Sequence, residues 1–160
     1  GDAQTLTRKL LERLKGRDAR IIVLTGHNGQ LLRSLESRFG GDIRVLAVPF
    51  TNQVPLYMDA CDVLLTKPGG ISSTEAAVKG ITMVHTPPIP GVETLNAQFF
   101  SERGMSVFAP NEDSAAENAI RLAMDLPQRS RMLAAQKQYL SASAADRIAA
   151  RILGQSTELQ

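Results

Sequence analysis

The residues from Thr66 to Glu75, Thr-Lys-Pro-Gly-Gly-Ile-Ser-Ser-Thr-Glu, carry the types and spacing that could do chemistry. They join an aliphatic run to a helix-forming one. Gly69 and Gly70 let backbone N–H groups approach a ligand with no side chain in the way. A helix starting near Ser72 offers free N–H groups and the positive end of its dipole to an anion. The chemistry that fits is phosphate or diphosphate binding at this turn. The segment lacks the Gly-Lys-Ser/Thr ending of a Walker loop and is not Gly-x-Gly-x-x-Gly. Spacing alone leaves a second reading open, a plain strand-to-helix turn with a capping serine. Glu75, one turn into that helix, could accept paired bonds from ribose hydroxyls or act as a first-turn carboxylate favouring the dipole.

Two further loops belong to the same edge. Pro90-Gly91-Val92-Glu93-Thr94-Leu95-Asn96 presents another helix start, with Glu93 and Asn96 towards the same crevice. The plainer reading is a solvated loop carboxylate and a helix-cap amide. His27 and Asn28 follow an earlier strand there, His27 as a general base or as a loop histidine with no task.

The elements that must hold these loops are legible from periodicity. Ile21 to Leu24 is a β-branched aliphatic run ended by Thr-Gly-His-Asn-Gly, a buried strand and a turn. Leu31, Leu32, Leu35 and Phe39 recur at helical spacing up to Gly40-Gly41. Strands are expected at Ile43 to Val48, Val63 to Leu65, Thr82 to His85 and Ser106 to Phe108. Helices are expected at Leu56 to Ala60, Ser72 to Lys79 and Leu95 to Arg103, with Gly80 as a terminator. A leading helix over residues 2–15 carries Leu6, Leu10, Leu11 and Leu14 on one face. From Glu112 onward the Ala-rich chain predicts two or three helices, broken near Pro127 and loosened at Ser141 to Ser143. Strands alternating with helices imply crossovers and a parallel sheet. Nearly all-apolar strands imply that both its faces are covered. The fold class is α/β, a doubly wound, Rossmann-like domain, and loops at the carboxyl ends of such strands are where ligands bind.

Composition narrows the classes. One domain spans residues 1–160, with 155–160 expected as a frayed tail. Apolar residues make up 43%, too many for a chain that cannot collapse. A net charge of +2 argues against a dedicated nucleic-acid binder, which needs clustered basic charge. The single cysteine, Cys61, cannot close an internal disulfide, which suits a reducing compartment. No apolar run approaches the roughly 20 residues of a membrane span. The first residue is Gly rather than Met and no signal peptide follows, so an excised part of a longer protein is expected. No Asp-x-Asp or His/Cys cluster suggests a metal, and none is expected. Arg8, Lys9, Arg13, Lys15, Arg17 and Arg20 read as a solvated helix face rather than a membrane-binding one.

Taken together, five segments resemble one family. They are Val48-Pro49-Phe50-Thr51-Asn52, Ala60-Cys61-Asp62, Thr66 to Ile71, Glu75-Ala76, and Pro90-Gly91-x-Glu93-x-x-Asn96-Ala97-x-Phe99-Phe100-x-x-Arg103-Gly104. In this order and spacing they resemble the C-terminal half of diacylglycerol glycosyltransferases, a group that includes bacterial processive diacylglycerol glucosyltransferases and plant monogalactosyldiacylglycerol synthases. More distantly they resemble the nucleotide-sugar domain of the peptidoglycan N-acetylglucosaminyltransferase. The resemblance covers about Ile21 to Phe108.

It implies the Rossmann-like donor half of a GT-B glycosyltransferase, binding a UDP-sugar as substrate with no cofactor. It implies that Phe50 and Thr51 lie in the loop whose backbone reads uracil. Gly69, Gly70, Ile71 and Ser72 match the turn that cradles the diphosphate, which Gly26 also approaches. Glu75 matches the acid on the ribose, and Glu93 and Asn96 match the loop on the donor hexose. Lys67 belongs to the motif, with a role in phosphate contact or in packing. No catalytic residue is implied here, because the general base and the lipid acceptor site fall to an amino-terminal domain. The whole protein is then expected to be cytoplasmic and attached to the membrane surface. The chain departs from the pattern at Pro49, where relatives usually have Gly, at Val92, where they have Gln, and at His27, where they often have Arg, Lys or Ala. Two other classes share the donor site in principle: an epimerase of the same fold and a non-catalytic nucleotide-binding module.

Overall fold

A computed structural model describes residues 2–154. The tail expected at 155–160 lies outside them. The elements alternate as expected: α1 (Ala3–Arg13), β1 (Ile21–Gly26), α2 (Gly29–Phe39), β2 (Val45–Pro49), α3 (Val54–Ala60), β3 (Val63–Thr66), α4 (Gly70–Lys79), β4 (Thr82–His85), α5 (Val92–Glu102) and β5 (Val107–Phe108). Three helices complete the described residues, α6 (Glu112–Met124), α7 (Leu126–Tyr139) and α8 (Ala144–Ile152). Asp125 closes α6 and caps α7 through its side chain, with Pro127 in the first turn, so the break is made where proline tolerates it.

Every strand pair is parallel. β1 pairs with β2, and β3, β4 and β5 pair in sequence order. The larger sheet is wound on both faces. On one side α1 and α6 pack Leu10, Leu14, Ala115, Ala119 and Leu122 against Val84. On the other, Met58, Ala76, Ala77 and Phe100 close over Met83 with Met105. Lys9 and Arg13 on α1 pair with Asp113 on α6, so part of the basic face clasps a helix instead of facing only solvent.

The structure differs from a continuous, fully covered sheet in two ways. β1 and β3 are not hydrogen-bonded to each other. A slot of about 660 Å³ separates them, lined by Val23, Leu24, Leu64 and Leu65 with Leu10 from α1 and Met58 from α3. Nor are β1 and β2 covered on both faces: Ile22, Leu24 and Leu46 are 39%, 38% and 52% exposed. The apolar character of these strands comes from one covered face and from the slot, which an aliphatic run cannot distinguish from a second packed helix.

Candidate functional site

The carboxyl ends of β1, β3 and β4 bring the candidate residues to one edge. The crevice opens where β1 and β3 part, with Thr66 and Ser72 bordering the slot. Open α/β sheets bind ligands in crevices beyond the carboxyl ends of their strands.

On the β1 side, the register against β2 slips between Leu24 and Gly26. Gly26 has φ +56, a left-handed conformation that a side chain resists, and it pairs with Pro49 just before Phe50. The His27 ring stacks on Phe50 with centroids 4.2 Å apart and planes 16° apart. Phe50 is 61% exposed, so the outer face of this pair is open to solvent. The Thr51 hydroxyl accepts from the Gln53 amide at 3.0 Å and shapes the turn into α3. Asn28 is occupied as the cap of α2, accepting from Leu31 N–H at 3.0 Å.

On the β3 side, α4 begins at Gly70, two residues before the expected start. Its cap is Gly69, in extended conformation, with no side chain bonded to the helix end. The Ser73 amide is the first to find an intrahelical partner, the Gly69 carbonyl at 3.0 Å. The amides of Gly70, Ile71 and Ser72 thus have neither helical nor side-chain partners of the kind that α1, α2, α6 and α7 obtain from Asp2, Asn28, Asn111 and Asp125. The reading in which a serine caps this helix is therefore overturned: Ser72 is exposed within the first turn, and Ser73 is buried and faces inward. Glu75 is half-buried in the second turn, and no acid occupies the first, which removes its reading as a first-turn carboxylate. Ile71 is 86% exposed at the rim.

On the β4 side, α5 begins at Val92, three residues before the expected start, behind Gly91 at φ +106. It too has a glycine cap and no side-chain cap. The Glu93 carboxylate accepts from the Ile89 amide at 2.5 Å and folds the Pro-rich loop back on its own helix. Asn96 reaches across to α4: its side-chain nitrogen lies 3.7 Å from where a Cβ on Gly70 would sit. The structure thus brings Gly70 together with Asn96, and Gly26 beside the Phe50–Thr51 loop, while Glu93 turns to its own loop.

One buried polar group has almost no signature in the sequence. His85, fully buried at the end of β4, has Nε2 3.0 Å from the Ser73 hydroxyl and Nδ1 3.0 Å from the Ser106 hydroxyl. Phe100 meets the ring edge-on at 5.4 Å. Burial pushes its pKa down to about 4, so the ring is neutral at pH 7. The only signal in the sequence is a histidine closing an otherwise aliphatic Met-Val run. Among the described residues, no group of three or more His, Cys, Asp or Glu side chains gathers as metal ligands would.

No family model matches the chain. It is 34% identical over 117 residues to the processive diacylglycerol beta-glucosyltransferase of Staphylococcus carnosus (strain TM300), covering 73% of this chain and 29% of that protein. It is 30% identical over 124 residues to the protein of the same name from Staphylococcus aureus (strain Newman), covering 78% of this chain and 32% of that one. The chain therefore spans about a third of the length of these relatives. Among solved structures, a UDP-N-acetylglucosamine 2-epimerase superposes with a TM-score of 0.75 at 17% identity, covering 98% of this chain and 44% of that one. MurG of Acinetobacter baumannii gives 0.71 at 17%, covering 96% and 47%. MnaA of Staphylococcus aureus, solved with UDP, gives 0.70 at 15%, covering 98% and 42%. The resemblance of the motifs to the diacylglycerol glycosyltransferases is borne out by the sequence matches. The Rossmann-like GT-B domain is borne out by the structural ones.

Proposed function

We propose that this chain is the UDP-sugar-binding domain of a glycosyltransferase that transfers a hexose to a lipid acceptor such as diacylglycerol. The observation that carries the reading is the pair of glycine-capped helices, α4 and α5, whose uncapped starts adjoin one crevice, with Asn96 against Gly70. A helix end with three free amides and no capping side chain is suited to an anion, and a diphosphate supplies one. The sequence relationship to diacylglycerol glucosyltransferases supplies the rest of the ligand.

In this reading the backbone at Phe50 and Thr51 reads uracil and Glu75 holds the ribose hydroxyls. The amides of Gly70, Ile71 and Ser72, with the turn at Gly69 and the loop at Gly26, receive the diphosphate. Glu93 and Asn96 contact the hexose. The acceptor oxygen bonds to the anomeric carbon as the bond from that carbon to the diphosphate oxygen breaks. The acceptor proton passes to a base, and the departing UDP takes the electron pair. The charge growing on the diphosphate is met by fixed amide dipoles, a preorganised arrangement in which one lost donor typically costs about 10²–10³ in rate. The reading requires no metal. The base and the acceptor site belong to the remainder of the protein, which is cytoplasmic and held at the membrane surface in this account. Among the described residues no helix is long and apolar enough to cross a membrane.

The epimerase alternative shares the fold at 17% identity, whereas the sequence likeness of 30–34% is to glucosyltransferases, which favours transfer. Isothermal calorimetry tests the reading. The chain alone is expected to bind UDP and UDP-glucose, and to transfer no sugar to diacylglycerol. No heat with millimolar UDP would count against it.

A further inference from the structure

His85 lies behind the free end of α4 rather than in the crevice, yet it is joined to that end. Its Nε2 engages Ser73, the fourth residue of α4, and its Nδ1 engages Ser106, just before β5. All three residues are buried, at 0%, 0% and 5% exposure. A neutral imidazole has one donor and one acceptor nitrogen, and two serine hydroxyls can serve either tautomer. The three side chains thus form a buried, linked chain from the α4 turn, through the end of β4, to the strand beyond.

The alternative partner for Ser73 shows what this chain does. A serine or threonine inside a helix turns its hydroxyl to the carbonyl four residues back, and such back-bonding bends helices. Among the described residues Thr7 does so with the Ala3 carbonyl and Ser101 with the Ala97 carbonyl, each at 2.7 Å. For Ser73 that carbonyl belongs to Gly69, the cap of α4, which already accepts the Ser73 amide at 3.0 Å. The Ser73 oxygen instead lies 3.0 Å from His85 Nε2 and makes no bond to the Gly69 carbonyl.

We infer that His85 is a positioning residue for the anion-binding turn: by holding the Ser73 hydroxyl it fixes the first turn of α4 so that the amides of Gly70, Ile71 and Ser72 remain aimed at the crevice. The inference rests on the proposed UDP site and extends it to a residue that touches no ligand. Burial keeps the ring uncharged, so the link persists at neutral pH.

The test compares UDP with uridine, which lacks the diphosphate. Affinities are measured by calorimetry for the wild-type chain, His85→Phe, and His85→Phe combined with Ser73→Ala. Phenylalanine fills the space but bonds neither serine. The single variant is expected to lose about 10-fold in UDP affinity while uridine changes little. The double variant, with no hydroxyl to back-bond, is expected to recover most of that loss. A purely structural histidine would lower thermal stability and leave the ratio of UDP to uridine affinity unchanged, or show no recovery, and either result overturns the inference. If His85→Phe does not fold, His85→Leu serves in its place, since the strand is otherwise aliphatic. Loss of UDP binding in the wild-type chain itself would instead overturn the proposed function and this role with it.

Discussion

The side-chain amide of Asn96 on α5 closes over Gly70, the first residue of α4, so that a methyl group there would lie 3.7 Å from its nitrogen. That separation is ordinary contact, and it makes Gly70 a wall of the crevice rather than a requirement of the backbone. Gly70→Ala should therefore fold as the wild type does. Gly70→Val must push Asn96 aside and fill space in front of the α4 amides. Its UDP affinity should fall about 10-fold or more, with the thermal midpoint within a few degrees of wild type. Equal affinity for UDP in Gly70→Val would remove Gly70 from the site.

Glu75, half-buried in the second turn of α4, is expected to read the ribose. A carboxylate accepting hydroxyl bonds contributes on the order of 1.5–3 kcal/mol. Glu75→Ala should thus weaken UDP by roughly 10- to 100-fold. Binding of uracil alone should not change. Equal losses for both ligands would rule out the ribose role.

His85 also sets a pH dependence. In the folded chain burial holds its pKa at about 4, below the ordinary 6.5. Between these values the unfolded chain binds a proton that the folded chain refuses, so stability is lost as pH falls from 6.5 towards 4. The full swing is on the order of 3 kcal/mol. Urea unfolding at pH 7 and pH 4.5 should show most of it in the wild type and little in His85→Phe. Asp42 titrates in a separate window: its bonds from Arg44 hold its pKa at about 2. An unchanged pH slope in the variant would contradict the assignment.

Gln136 on α7 donates to the Ile81 carbonyl at 2.9 Å and the Met105 carbonyl at 3.0 Å, tying the entries of β4 and β5 to one helix. Gln136→Ala strands two buried carbonyls and leaves a void. It should cost about 2–4 kcal/mol in urea unfolding at constant m-value. A cost below about 0.5 kcal/mol would show that the loops hold without it.

Local patterns made much of this legible. Ile21 to Leu24 reads as a strand because β-branched residues end at a glycine turn, and Gly80 reads as a terminator because glycine takes the left-handed helix end freely, as it does here at φ +73. The sequence places the start of α4 two residues late, because serines look like caps and Gly69-Gly70 looks like loop. The actual cap is a glycine with nothing to offer, and the absence of a capping side chain is what leaves the amides free. The partners of His85 are 12 and 21 residues away, a spacing that carries no local signal. The parting of β1 from β3 is equally silent, because a strand edge is aliphatic whether it faces a backbone or a slot.

The most direct measurement is an amide chemical-shift titration of the chain with UDP. The account predicts saturable shifts centred on Gly69, Gly70, Ile71 and Ser72, with smaller ones at Gly26 and Thr51 and none along α8. Shifts absent from the start of α4, or concentrated elsewhere, would contradict it.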